Sequence, residues 1–284
     1  MLALGHAVRC TLLASAALAF AAVARPALAE GKLEARYIAT VAGFPIGEGN
    51  WVIEIGESHY SAAASGATTG LLQAFTGGHG TSAAQGTFSG GKLMSSVYGA
   101  TLFSRKKIDE IRLTIANGNV KENQIDPPQE VNPERIPVTE AHQHGVLDPM
   151  TATLLRVPGT GDPMAPESCQ RTLSVFDGRI RYDLRLAFKR MDKVKAVKGY
   201  SGPVLVCAVY FTPVSGYVPS RTTLKYLAEQ RDMEVWLAPI AGTRVLVPFR
   251  AQGPTPIGQA VLQATQFVSV AAPAKTLATG AKTQ

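Results

Sequence analysis

Signatures of catalytic chemistry are missing from this 284-residue chain. It has no Gly-x-Ser-x-Gly elbow to raise a serine nucleophile, no His-Glu-x-x-His zinc motif, no Cys-x-x-Cys pair and no Gly-x-Gly-x-x-Gly after a strand. Histidine is scarce, with five residues, and cysteine scarcer, with three. Ser95, Ser96 and Ser201 have no histidine near them in sequence. Beyond residue 29 no segment has the roughly 20 apolar residues that span a bilayer. Charge of one sign is not concentrated either: 28 basic residues face 21 acidic ones and are spread along the chain. That argues against a nucleic-acid footprint. One near miss is rejected. Gly86–Lys92 has phosphate-loop spacing, yet Leu93 stands where a Ser or Thr would bind magnesium. A hairpin turn explains it better. No cofactor-binding pattern is read.

What is present begins with a leader. Met1–Arg9 is short and ends in a positive charge, Cys10–Val23 is apolar, and Ala27-Leu28-Ala29 supplies a small-x-small cleavage site. Residues 1–29 therefore read as a signal peptide cleaved after Ala29, which implies a periplasmic protein. Cleavage removes Arg9 and Arg25, so the charge falls from +7 to 26 − 21, or +5. It also removes Cys10 and leaves Cys169 and Cys207. In an oxidising compartment such a pair predicts one disulfide, the alternative being two separate buried thiols.

The dominant period is two. Leu33, Ala35, Tyr37, Ala39 and Val41 share a face, as do Trp51, Ile53 and Ile55. Val175–Phe188 reads as one half-buried strand, with Phe176, Ile180, Tyr182, Leu184, Leu186 and Phe188 opposite Asp177, Arg179, Arg181, Asp183 and Arg185. Weaker alternation recurs at 111–115, 234–238 and 244–250. Val204–Phe211 is continuously apolar and predicts a strand covered on both faces. Turn signals at Gly43, Gly56, Gly90-Gly91, Asn117-Gly118 and Asp177-Gly178 separate these runs. Helical signals are few: Asp148-Pro149 opening a short helix over 150–157, and a second over 222–231. The prediction is a mainly β chain: one antiparallel curved sheet or incomplete barrel over residues 30–270, with one or two short helices. Residues 271–284 have one large apolar side chain, Leu277, among Ala, Lys, Thr and Gly, and are expected to be disordered.

Candidate site residues are sparse. Residues 65–86 are mostly small and read as two strands joined by a turn; the sharper reading is a flap whose apolar tip, Leu71, Leu72 and Phe75, touches a ligand or bilayer. Glu140, His142 and His144 would share one face of an extended segment and could bind zinc or a similar ion, although a solvated surface loop is the plainer reading. Arg179 and Arg181 could bind an anionic head group, or belong to a solvated sheet face with ion pairs.

Several motifs in order resemble a known family. They are Phe44-Pro-Ile-Gly-Glu-Gly, Val146-Leu-Asp-Pro-Met-Thr-Ala, Phe176-Asp-Gly-Arg-Ile-Arg-Tyr-Asp-Leu, Val206-Cys-Ala-Val-Tyr, Glu234-Val-Trp-Leu-Ala and Val247-Pro-Phe-Arg. Over roughly residues 32–268 the chain resembles the exported bacterial proteins filed as domain of unknown function 3108. The resemblance implies an envelope-exported β protein and carries over no catalytic residue. Likeness to half-barrel carriers of lipoproteins or lipids is an analogy of fold alone. The functional expectation is non-enzymatic binding of an apolar or amphipathic envelope component such as a lipid. The alternatives are a structural or interaction protein of the envelope, and, third, a hydrolase of envelope polymers.

Overall fold

The computed structural model describes residues 30–70, 73, 77–105 and 107–271. Residues 1–29, read from sequence as a leader, Leu71, Leu72 and Phe75, and the residues beyond 271 lie outside the described residues. Within them, fifteen strands form one sheet. The first seven are β1 (Gly31–Val41), β2 (Phe44–Ile55), β3 (His59–Thr68), β4 (His79–Ser89), β5 (Lys92–Phe103), β6 (Ile108–Ala116) and β7 (Asn119–Asp126). The rest are β8 (Leu155–Arg156), β9 (Arg171–Phe176), β10 (Arg181–Lys195), β11 (Lys198–Gly199), β12 (Ser201–Ser215), β13 (Glu234–Pro239), β14 (Val245–Thr255) and β15 (Gly258–Ala271). Short helices cover Pro149–Ala152 and Thr222–Glu229. No helix among the described residues is long and apolar enough to cross a membrane.

Two meanders make the sheet. β1 to β7 lie in sequence order, and β9, β10, β12, β13, β14 and β15 form the second series. The first and last strands join the two, because β1 pairs antiparallel with β15 along its whole length, from Gly31↔Ala271 to Val41↔Ala260. The sheet is not closed into a barrel; its path ends at β7 and β9. The tight turns are where the sequence puts them. Gly90 and Gly91 join β4 to β5 with φ of 55° and 75°, and Asn117 and Gly118 join β6 to β7 with φ of 52° and 76°. Both are the left-handed pairs that match strand twist.

Alternation sets the buried face. Leu33, Ala35, Tyr37, Trp51, Ile53, Ile55, Leu113 and Ile115 all enter the main apolar cluster. β12 is covered on both sides: Val204 and Val206 belong to that cluster, Leu205 and Cys207 to a second one with Leu186, Leu237 and Leu246. Residues 59–68 and 79–89 are the two small-residue strands expected there.

Three expectations are corrected. Val175–Phe188 is not one strand. Asp177 Oδ1 accepts hydrogen bonds from the backbone N–H of Arg179 (2.7 Å) and Ile180 (2.6 Å), and Gly178 sits at φ +98°. This side-chain turn converts the run into the β9–β10 hairpin; the turn chemistry overrides the alternation. The helix opened by Asp148-Pro149 stops at Ala152 instead of reaching residue 157. Leu155 and Arg156 instead pair with Leu246 and Val245 of β14, which buries Leu155 in the second cluster. At the C-terminal end, Ala271 is the last residue of β15 rather than the first of a disordered tail.

Cys169 and Cys207 form a disulfide with a 2.01 Å S–S bond between fully buried residues. It ties the 3-10 turn Pro166–Cys169 to β12 across 38 residues. Closing a loop of that length removes unfolded-state entropy. The double variant Cys169→Ala/Cys207→Ala is expected to lose about 4 kcal/mol of unfolding free energy, read from urea titration.

Candidate functional site

Small side chains on facing strands leave the interior of the curl unfilled. Trp51, Ala64, Ser82 and Ala100 form one cross-strand row over β2 to β5. The next row is Gly49, Gly66, Gly80 and Leu102. Such rows cannot reach across a curved sheet, and a cavity of about 630 Å³ lies over them, with Tyr98 in its wall. Burial pushes the Tyr98 phenol up to about 12, so it stays protonated at neutral pH.

A second cavity, of about 450 Å³, is lined almost wholly by apolar groups. Leu184, Leu186, Val209, Val235, Leu237 and Met233 form its main wall. Its lining draws on β2, β1, β15, β14, β13, β12, β10 and β9, which are consecutive neighbours in the sheet. Only the concave face of a strongly curled sheet can present eight neighbouring strands to one volume. Ala39, Ile46 and Leu262 line both cavities. Each volume falls in the range of small-molecule sites, roughly 300 to 1,000 Å³. Leu262 is 40% exposed and Leu102 54%, so large apolar side chains in these walls remain wet.

A buried, hydrogen-bonded polar cluster lies next to the second cavity in sequence, behind Ala152 and Thr153. Asp148 caps the helix Pro149–Ala152: its Oδ1 accepts from Thr151 N–H (2.8 Å) and its Oδ2 from the Thr151 hydroxyl (2.5 Å). The Asp148 N–H donates to Ser95 Oγ on β5 (3.1 Å), and Thr151 Oγ1 meets the Tyr60 hydroxyl on β3 (2.7 Å). Asp148 and Thr151 are completely buried. Burial raises the Asp148 carboxyl above its ordinary range, against hydrogen bonds from Ser95 and Thr151. Gly86 is required here, because a Cβ at that position would overlap the Met94 carbonyl oxygen and the Tyr60 hydroxyl. Every oxygen of Asp148 is occupied, so this carboxylate anchors the helix. Ala152 and Thr153 then line the second cavity.

Among the described residues, Glu234 is the one carboxylate in the wall of the second cavity. It accepts both Arg190 N–H groups at 3.0 Å and also pairs with Lys189. The Arg190 hydrogen bonds hold its pKa down at about 2. The rim is therefore a neutralised cluster.

Among the described residues, those singled out from sequence do not converge on these cavities; Leu71, Leu72 and Phe75 lie outside the described residues. Arg179 donates to Asp109 of β6 at 3.0 Å, and Arg181 pairs with Asp183 at 2.8 Å. Neither lines either of these two cavities; Arg179 lies in the β9–β10 turn and Arg181 is the first residue of β10. Glu140, His142 and His144 do not form an extended strip. Residues Glu140–Gln143 form a 3-10 turn, and the His142 ring turns back to accept the Thr139 N–H (3.1 Å). His144 reaches only Glu140, at 3.7 Å. Among the described residues no three His, Cys, Asp or Glu side chains are grouped to hold a metal ion. The lining residues Val209, Val235 and Leu262 escaped sequence reading. The usable signal was the run of inward Gly, Ala and Ser on β3 and β4, which marks absent volume.

A family model described as a protein of unknown function, DUF3108, matches residues 36–265. No curated protein matches the sequence. Among solved structures, the chain is similar to a beta-barrel-like protein of domain of unknown function DUF1849 from Brucella abortus, at 10% identity and a TM-score of 0.42. That match covers 86% of this chain and 98% of the other.

Asp148→Ala removes a helix cap and strands buried donors. It is expected to cost about 3 kcal/mol in chemical unfolding, while Tyr60→Phe costs about 1 kcal/mol. Glu234 gives a pH signature. A depressed carboxylate stabilises the fold above its unfolded pKa, and that contribution is lost as pH falls towards 2. Glu234→Gln is expected to lower the melting temperature at pH 7 and to flatten its decline in acid. An unchanged acid slope in the variant would contradict this assignment.

Proposed function

We propose that this chain, which belongs to the DUF3108 family of proteins of unknown function, holds an apolar or amphipathic component of the cell envelope inside its curled sheet. The observation that carries the reading is the second cavity: about 450 Å³, walled by Leu184, Leu186, Val209, Met233, Val235 and Leu237, with wet leucine at its junction with the first. Covering such surface is favourable by roughly 25 cal/mol per Å². A flexible apolar chain fits two adjoining hollows better than a compact polar ligand does. The reading is non-enzymatic. The Asp148 carboxylate is spent on the helix cap, and Glu234 on Arg190 and Lys189. The reading also sets the protein in the periplasm, after cleavage behind Ala29. The buried Cys169–Cys207 bond supports that compartment, since disulfides persist where the milieu is oxidising.

Native mass spectrometry of the protein purified from the periplasm of its own cells tests the proposal. A reproducible additional mass that extracts into organic solvent is expected; spectra showing only the bare chain would overturn it. A substitution localises the site. Ala39 lines both cavities, so Ala39→Trp should displace the load and weaken binding of cis-parinaric acid about tenfold. A variant that melts normally and still carries the full load would place the ligand elsewhere.

A further inference from the structure

β10 and β12 outrun the strands beside them. β9 pairs only with residues 181–186 of β10, and β13 only with 205–208 of β12. Beyond those partners the two strands pair only with each other, from Val204 and Asp192 out to Ser201 and Lys195. They form a two-stranded ribbon that folds back on the sheet. Its tip is fastened by β11, which pairs in parallel with Gln266 and Phe267 of β15, and by Tyr200, whose ring lies 5.7 Å from that of Phe267.

The outer side of this ribbon is strongly basic. Residues 189–198 contain Lys189, Arg190, Lys193, Lys195 and Lys198 against a single acid, Asp192. Lys189 and Arg190 are neutralised by Glu234. Asp192 is itself exposed and accepts the Trp236 indole N–H at 2.9 Å. Lys193, Lys195 and Lys198 are exposed and have no ion-pair partner among the described residues. Lys193 and Lys195 join Arg250 around a groove of about 510 Å³ with Trp236 and Phe249 in its lining. Val197 stands at the tip, in the rim of the same groove, 93% exposed; Met191 on the same ribbon is 46% exposed. Arg36 of β1 is also exposed and stands opposite Gln266, the partner of Lys198. The acidic group nearest along β1, Glu34, is paired with Lys32.

The geometry points to this ribbon as a docking surface for an anionic lipid bilayer, with Lys193, Lys195, Lys198 and Arg250 meeting phosphate head groups and Val197 entering the interface. Charge complementarity selects the partner: Lys193 and Lys195 border the groove with Arg250, and the exposed Lys198 follows Val197 at the tip of the ribbon. The bare valine selects a lipid surface over a soluble polyanion, because a polyanion would leave it in water. Basic side chains near such a surface each strengthen attachment, and a small apolar insertion adds to them. This surface is separate from the interior cavities and does not depend on what they hold.

Vesicle sedimentation tests it. Binding is expected to vesicles of phosphatidylcholine mixed with phosphatidylglycerol, to weaken as salt rises, and to be absent with phosphatidylcholine alone. Lys193→Glu/Lys195→Glu/Lys198→Glu should weaken it about a hundredfold. The control Lys92→Glu/Lys121→Glu/Lys225→Glu changes net charge equally at exposed positions elsewhere and should bind far more tightly than the ribbon variant. Equal losses in the two triples would reduce the effect to net charge and overturn the proposal. So would equal binding to uncharged vesicles, or tighter binding to soluble polyglutamate than to vesicles. Val197→Trp supplies a readout that needs no charge reversal. Its added emission should shift to the blue with anionic vesicles and be quenched by brominated lipid; an unmoved spectrum would also overturn the proposal.

Discussion

The curl of this sheet depends on one short stretch of chain, Gly145 to Thr151. A sheet with two free ends can flatten, and nothing in the ladder from β7 to β9 prevents it. The stretch stops this by touching both ends. Val146 N–H donates to Gly118 O in the β6–β7 turn, Leu147 N–H to Ser174 O, and Leu147 O accepts from Phe176 N–H on β9. Asp148 and Thr151 then add β5 through Ser95 and β3 through Tyr60. Side-chain contacts reinforce the same gap, with Arg179 on Asp109 and Asn123 donating to Gly178 O. Both hollows exist because this brace holds the two meanders around them. The Asp-Pro step is thus a structural requirement, and its buried carboxylate needs no catalytic explanation.

The β architecture was legible because burial and the strand period coincide. Leu33, Ala35, Tyr37 and Trp51, Ile53, Ile55 alternate in sequence and alternate in burial. The disulfide was legible because reading Cys10 as part of a leader leaves Cys169 and Cys207 as a pair. Harder cases arose where two local signals competed. At Asp177-Gly178 the alternation continues straight through a turn, and only the Asp177 side chain, bonded to two backbone amides, shows which prevails. At Leu155 the helix signal ended in favour of a distant partner, β14, which no local pattern reveals. The His142 and His144 strip failed for a related reason: parity arguments assume an extended backbone, and residues 140–143 turn instead.

The cavities were the least legible feature. A core is written in large apolar residues, whereas a hollow is written in what is missing from facing positions. Reading it requires the register that brings Gly49, Gly66 and Gly80 into one row. Basic residues behaved similarly. Along the chain they look dispersed, and the sum over the sequence is modest. Folding sorts them: Lys189 and Arg190 are absorbed by Glu234, while Lys193, Lys195 and Lys198 keep their charge on one ribbon beside Arg250.

The gap between β7 and β9 has a mechanical consequence. A barrel closed by a continuous ladder has a fixed girth, because widening it means breaking a whole column of backbone hydrogen bonds together. Here the circumference is interrupted by a seam, stitched by Arg179 to Asp109, Asn123 to Gly178 and three amide bonds of Val146, Leu147 and Phe176. The effort of widening the hollow is set by those few stitches. The girth of the sheet is therefore adjustable at its seam while the paired strands β1 and β15, opposite in the strand order, stay locked.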